Sequence, residues 1–509
     1  MDVKYRIDLT QNGRPYPHYW EFCVGSCHAL TILREDVRNQ IRKAHEEIGF
    51  KYLRFHGLFD DDMSVVIKPM MPGSPIEISF YNIDCVFDFL LDIGMKPFVE
   101  LGFMPAAFAS GTQELFHYRA NATLPKSFDQ WADFLKQFVT HLIERYGKEE
   151  VESWFFEVWN EPNLHFFFDG TQEDYFQLYD VTARAVKSVD EKLRVGGPAT
   201  SVNAWIPAFK AYCAENSVPL DFITTHHYPS DDPLSTAGMN GPGTKGELLD
   251  ENAIELLSKM TPEEIQKMLA EVLSNDASNP RDILVQMTRK AKAEAGELPL
   301  YYTEWNGAKE FDTEYQAAFI LQTLAYNEGL VEGYSFWTVS DIFEEQGMKN
   351  GPFKNEFGIQ TNEGIAKPSY RAFQALHDAG NMRLDAEALG GGDGYRTAEV
   401  LALKDPNTGE TTVFVYNHDI IRRDIQSQEM TILLNGPVTS VRKAVIDADH
   451  TAPIRAWEQM GSPNYPTREQ ITQLHAASEL VYEDLGVTAE IHFTAQPESV
   501  TVLKISGEK

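Results

Sequence analysis

Cysteine is scarce in this chain: Cys23, Cys27, Cys85 and Cys213 are the four thiols of 509 residues. Their spacing makes neither a disulfide framework nor a paired C-x-x-C zinc site, so buried thiols in a reducing cytoplasm are expected. Long apolar runs are missing too. Nowhere do about eighteen apolar residues follow one another, and the opening MDVKYRIDLTQNGRPYP has no apolar core behind a basic start. A cytoplasmic protein with no membrane partner is the expectation. Positive charge is in deficit, 44 Lys+Arg against 76 Asp+Glu, and the formal charge of −32 disfavours nucleic-acid phosphates and anionic lipid. A neutral substrate suits it better.

Several motifs are absent as well. There is no G-x-S-x-G elbow and no H-E-x-x-H helix, and the adjacent His226 and His227 of a strand face opposite sides. Asp60, Asp61 and Asp62 lack the spacing of a calcium loop, and the triple glycine of LGGGDG has no G-x-G-x-x-G setting between strand and helix, so it reads as linker. Neither a metal nor a cofactor is expected.

What the chain does have is a rhythm. With 43% hydrophobic and 12% aromatic residues it can fill a large barrel and a smaller domain. Short β-branched and aromatic runs alternate with stretches of helical period: EFCVGS (21–26), YLRFH (52–56), PFVEL (97–101), WFFEVW (154–159), LRVGG (193–197), DFITTH (221–226), LYYTEW (300–305) and GYSFW (333–337). Alternation of this kind predicts an α/β fold, a (β/α)8 TIM barrel over 17–384. An insertion at about 229–298, a Gly/Pro/Asn-rich loop followed by charged amphipathic helices, is expected over one side of the barrel mouth. After residue 384 the pattern becomes short alternating strands between Pro, Gly and Asn turns, predicting a C-terminal β-sandwich over 385–509. One helix, TREQITQLHAASEL, interrupts it, and the opening residues 1–16 are expected to complete it.

In such a barrel the chemistry stands at the C-terminal ends of the strands. Those ends carry Arg54 and His56, Glu100, Asn160 and Glu161, His226 and Tyr228, Glu304 and Trp305, and then Trp337 with Asp341, Glu344 and Glu345. Glu161 and Glu304 are each embedded in an aromatic strand end, where desolvation raises a carboxyl pKa unless a partner offsets it. Two carboxylates on one face in unequal surroundings can divide the work of acid and base. The alternative is a pair of buried carboxylates tied into hydrogen-bond networks.

W-N-E-P after the fourth strand with T-E-W after the seventh looks like the retaining glycosidases that carry two glutamates there. With YLRFHGLFDDDM, KPFVELGFMP, LRVGGPAT, the T-H-x-Y of TTHHYP and DIFEE, spread over residues 20–380, the chain resembles glycoside hydrolase family 39, the β-xylosidases and α-L-iduronidases. The resemblance implies that Glu161 is the general acid and base and Glu304 the nucleophile, with carboxyl groups about 5–5.5 Å apart. By the same analogy Asn160 holds the sugar 2-hydroxyl, Tyr228 donates to Glu304, and His226 touches sugar or carboxylate. His56 and Glu344 or Glu345 reach glycone hydroxyls. Trp305 and Trp337 either line the apolar face of the sugar or pack the barrel mouth.

The implied activity is an exo-acting retaining glycosidase, a β-xylosidase first, with an iduronide, arabinoside or galactoside as other family substrates. Iduronate would call for Lys309, Lys349 or Lys354 at the pocket rim. A non-catalytic carbohydrate-binding protein would have lost one of the two glutamates, and both are here. A homo-oligomer is compatible with the sequence.

Overall fold

The computed structural model describes residues 2–68, 71, 74–229, 281–389, 397–420 and 425–507. Eight parallel strands close a barrel in chain order: β1 (Cys23–His28), β2 (Tyr52–His56), β3 (Lys96–Leu101), β4 (Phe155–Val158), β5 (Arg194–Thr200), β6 (Phe222–His227), β7 (Leu300–Trp305) and β8 (Gly333–Phe336). Closure is made by β8 against β1, Ser335 opposite Cys23. All eight runs expected from the sequence are barrel strands. Each is followed by a helix of the outer ring, the last being Pro368–His377.

Alternation along the strands builds the barrel interior in layers. Phe22, Tyr52, Phe98, Phe155, Phe222 and Tyr301 pack as an aromatic floor, with Phe98 stacked on Phe155 at 5.1 Å and Phe22 on Tyr301 at 4.8 Å. Two residues further along the same strands, Arg54, Glu100, Glu157 and Thr303 form a buried polar layer. Above it lies the mouth. The floor seals the barrel from below, so polar groups placed above it are reached by water only from the C-terminal face.

Two antiparallel-rich sheets form the second unit. The larger runs Arg14–Pro15, Met382–Leu384, Ala398–Lys404, Thr411–Asn417, Ser499–Ser506, Ser440–Ile446 and Glu483–Gly486. The smaller runs Ala386–Leu389, Asp2–Asp8, Gln428–Asn435 and Glu490–Ala495, with the opening strand parallel to Gln428–Asn435. Ile7, Val413, Val415, Ile432 and Leu503, all fully buried, fill the space between them. The larger sheet already includes Met382–Leu384, which pairs with Ala398–Lys404 and Arg14–Pro15, so the sandwich begins just before residue 385.

Two helices, Pro453–Gln459 and Arg468–Ala477, interrupt the sandwich where one was expected. The first packs Trp457 on Phe353 of the loop after β8, ring centres 5.7 Å apart. Of the insertion after Tyr228, the helix Ile283–Ala295 belongs to the outer ring; the expected loop and preceding helices fall on 230–280, outside the described residues, as does the triple-glycine linker. Among the described residues no helix is long and apolar enough to cross a membrane. All four cysteines are unpaired thiols, three of them buried.

Candidate active site

Strand β4 ends in an unusual backbone. Trp159 (φ 71°) and Glu161 (φ 43°) are both left-handed and neither is glycine, a conformation that costs about 1–3 kcal/mol each unless the surroundings enforce it. They do so here. The Trp159 indole N–H donates to the Phe167 carbonyl at 2.9 Å, and its ring meets Phe103 and Phe168 edge-on. The Glu161 amide donates to the Ala199 carbonyl of β5 at 2.8 Å, and the Asn163 side chain accepts from the Ser201 amide at 2.9 Å. The chain is thereby turned so that Asn160 and Glu161 meet the barrel axis.

Strand β7 reaches the same place by breaking its period. Strict alternation would send Glu304 to the outer face, because Thr303 points inward to donate to Glu157 at 2.8 Å. The register with β6 and β8 slips between Tyr302 and Trp305, and this irregularity brings Glu304 inward as well. Trp305 then points outward. It is fully buried under Phe319, Tyr334, Phe336 and Phe373 of the β8 and helix layers, so it does not line the pocket as expected of a sugar platform.

A fully buried guanidinium organises the floor of the site. Arg54 donates from Nε to Glu157 at 2.6 Å, from Nη1 to Glu304 at 2.9 Å, and from Nη2 to Asn160 Oδ1 at 2.8 Å, with Glu100 at 2.9 Å from the same nitrogen. The Tyr228 hydroxyl donates to the other Glu304 oxygen at 2.7 Å. His226 Nδ1 lies 3.0 Å from Glu161 and 3.5 Å from Glu304, and His56 joins Glu100 (2.7 Å) and approaches Glu304 (3.7 Å). Atoms of Glu161, His226 and Glu304 all lie within 4.8 Å of one another.

Burial sets the protonation states around this cluster. It pushes the His56 imidazole down to about 3 and lowers that of His226, so both rings are neutral at pH 7. Burial likewise raises Glu100, against the pull of Arg54 and with the push of Glu157, to about 8. Glu345 is held well above the carboxylate range by burial and by Glu304 and Glu161. A neutral Glu345 carboxyl is a hydrogen-bond donor facing the pocket.

The pocket itself is a cavity of about 270 Å³ at the barrel mouth. Of the residues expected from the sequence, His56, Asn160, Glu161, Tyr228, Glu304, Trp337 and Glu345 line it, and His226 stands behind the two glutamates. Trp337 lies across β1 at Gly25, where a Cβ would come within 2.4 Å of the indole. Glu344 does not line the pocket. Its amide donates to Cys27 Sγ and its carboxylate turns towards Arg34 and His28, because neighbouring residues of this loop project to opposite sides.

Phe167, Ala308 and Phe357 complete the wall and were not legible as site residues, since they sit in loops without a period. Glu157 was legible in principle. A carboxylate within WFFEVW, like Arg54 within YLRFH, is a charge in a strand otherwise apolar on both faces, and only the barrel interior offers it partners. A cation at the Glu161, His226 and Glu304 atoms would stand against the Arg54 charge, so the cluster suits acid and base chemistry better than metal binding.

The sequence profile of Glycosyl hydrolases family 39 matches residues 3–263 and 266–491. The β-xylosidase of Caldicellulosiruptor saccharolyticus is 44% identical over 494 residues, 95% of this chain and 93% of that protein. The β-xylosidase of Geobacillus stearothermophilus is 32% identical over 485 residues, 92% and 88% of the two chains. Among solved structures, a monomeric β-xylosidase from Caulobacter crescentus superposes with a TM-score of 0.79 at 30% identity, covering 99% of this chain and 100% of that one. With the match running through barrel and sandwich alike, the chain belongs to glycosyl hydrolases family 39 and is a glycoside hydrolase.

Proposed function

We propose that the protein is an exo-acting retaining β-xylosidase in which Glu304 is the nucleophile and Glu161 the general acid and base. The observation that carries this reading is the approach of the Glu161 and Glu304 oxygens to within 4.8 Å. Retaining enzymes hold the two carboxyls about 5–5.5 Å apart, whereas inverting ones need about 6.5–9.5 Å to admit a water between acceptor and sugar.

The contacts suit the two roles differently. Glu304 takes a charged donor from Arg54 and a hydroxyl from Tyr228, both of which favour the carboxylate needed for attack. Glu161 faces the neutral His226, which adds no fixed positive charge beside it. In the first step a Glu304 oxygen bonds to the anomeric carbon as the bond to the leaving oxygen breaks, and the Glu161 proton passes to that oxygen. In the second, water attacks the same carbon, its proton returns to Glu161, and the Glu304 ester bond breaks. Asn160, oriented by Arg54, presents its amide to the sugar 2-hydroxyl, a contact that strengthens as charge develops on the ring.

A neutral, small glycone fits the surroundings. No Lys or Arg lines the cavity among the described residues. Lys349 pairs with Glu356, Lys354 donates to Asn464, Lys309 lies over the Tyr315 ring, and the ion pairs of Arg54 are with glutamates, so among the described residues no cation stands on the cavity wall to receive a uronate carboxylate. The cavity of about 270 Å³ lies at the lower end of ligand pockets, and the two relatives described above carry the name β-xylosidase. A panel of aryl glycosides tests the reading. Aryl β-D-xyloside should be hydrolysed fastest, with β-xylose the first anomer seen by proton NMR. Preference for a uronide would exclude the xylosidase, and α-xylose appearing first would exclude retention.

A further inference from the structure

At the opposite end of the barrel from the pocket, three side chains that no step of the hydrolysis uses converge on one point. Glu21 precedes β1, His18 lies one turn before it, and His377 ends the last helix of the ring. His18 Nδ1 is 2.7 Å and His377 Nδ1 2.8 Å from the same oxygen, Glu21 Oε1, and the three ligand-capable atoms fall within 4.8 Å of one another. We propose that His18, Glu21 and His377 form a site for a divalent transition-metal ion of the zinc type, which fastens the base of the barrel to the chain leading into the sandwich.

Three features of the surroundings support it. First, the other nitrogen of His18 faces the Gly380 carbonyl at 3.3 Å. With a proton on that nitrogen, Nδ1 is held towards the Glu21 carboxylate, where either a second proton or a metal ion can lie between the two atoms. Imidazoles bound to metals commonly donate their second N–H to a backbone carbonyl in this way. Second, Gly49 (φ 83°) lies directly against the cluster, and a Cβ there would fall 2.6 Å from the His377 ring and 3.2 Å from the Glu21 carboxyl carbon. Gly49 also caps the helix Glu35–Ile48 in the left-handed conformation, and the lack of a Cβ there lets the His377 ring and the Glu21 carboxyl come together. Third, exposure is graded: the Glu21 side chain is 9% exposed, His18 14% and His377 35%. An ion can enter past His377 and keep a water as its fourth ligand.

Two nitrogens and one carboxylate oxygen are a familiar donor set for zinc, at about 2.0–2.2 Å from each, and seating the ion requires the ligands to part by about half an ångström. The consequence is mechanical. Gly380, whose carbonyl braces His18, presses against the backbone of Lys404 and Asp405 in the sandwich. An ion here would couple β1, the last ring helix and the strap between the two units, and would stabilise the folded protein by mass action.

The test uses tag-free, chelator-stripped full-length protein titrated with zinc chloride at pH 7.5 by calorimetry and thermal unfolding. One equivalent should bind and raise the unfolding midpoint by several degrees. His18→Phe, which keeps the ring stacked on Trp20, and His377→Phe should each weaken binding at least tenfold, while Glu304→Gln should bind zinc as the parent does. Cobalt chloride supplies a readout that needs no variant, since a four-coordinate nitrogen and oxygen site gives intense visible absorption. Absence of zinc binding would overturn the proposal. So would binding lost only in Glu304→Gln, which would place the ion at the pocket, or a midpoint that rises on acidification with no response to zinc, which would leave a proton-bound His and Glu latch.

Discussion

Arg54 and Glu304 form an ion pair at 2.9 Å whose guanidinium side is wholly buried. The pair holds the carboxylate proposed to attack, yet three of the four side chains around Arg54 are glutamates, so the guanidinium also offsets negative charge in the barrel interior. Removing one partner of a buried ion pair leaves charge without compensation, at a cost of about 3–5 kcal/mol. Arg54→Met should therefore lower the denaturant midpoint by that measure and abolish turnover. Arg54→Lys, a point charge without the planar fork, should fold better and still lose about 10²–10³ in kcat, since Glu304 and Asn160 cannot both be held.

The division of labour between the glutamates is open to a leaving-group test. Glu304→Ala removes the carbon-bound intermediate and should reduce every substrate to background. Glu161→Ala removes only protonation and water activation. It should leave aryl xylosides with very acidic phenols reacting to the covalent intermediate at near-parent rate, while xylobiose hydrolysis falls by about 10²–10⁴. Burst kinetics with a dinitrophenyl xyloside separate the two, and equal residual activity in both variants would contradict the roles.

Tyr228 donates to Glu304 at 2.7 Å, which favours the ionised carboxyl. In Tyr228→Phe that hydrogen bond is gone, and the Glu304 carboxyl loses one of the two donors that hold it in place. Steady-state kinetics on aryl β-xyloside should show kcat lower by about 10–100-fold with KM little changed. A higher KM with kcat unchanged would mean that the hydroxyl serves the substrate and not the nucleophile.

All eight barrel strands were legible because aromatic and β-branched runs recur at βα spacing, and the two glutamates were legible because each ends such a run. Trp305 was misread. Its neighbour Glu304 enters the barrel through a slip of register, and a slip has no signature in composition, so the face taken by the next residue could not be read from alternation. Arg54 and Glu157 were visible as charges in apolar strands, but their mutual contact crosses 103 positions and is made only by closing the barrel. Phe167 and Phe357 belong to loops, where position depends on tertiary contacts alone.

Glu100 makes the stability of the barrel depend on pH in a defined direction. Burial holds its carboxyl at about 8, above the value of an unfolded chain near 4.5. Between these values the folded protein keeps a proton that the unfolded chain has released, so stability is greatest below the lower value and declines as pH rises through the higher one. Urea midpoints at pH 5.5, 7.0 and 8.5 should fall in that order, and Glu100→Gln should flatten this part of the trend. A parent midpoint that rises over the same range would contradict the assignment.

Glu345 faces the pocket from the loop after β8, positioned by its carbonyl accepting from the His117 amide at 2.7 Å and by the Glu344 amide donating to Cys27. Desolvation and the neighbouring Glu304 and Glu161 carboxyls favour its protonated form, in which it gives a hydrogen bond where an ionised glutamate only accepts one. Glu345→Gln preserves a neutral donor of the same length and should raise KM by less than about tenfold. Glu345→Ala leaves a sugar hydroxyl without its partner on the pocket wall, at about 1–3 kcal/mol, and should cost about 10–100-fold in kcat/KM. If the carboxyl were ionised instead, Gln would be the poorer replacement and the two variants would lose alike, which steady-state kinetics at pH 7 on aryl β-xyloside would reveal.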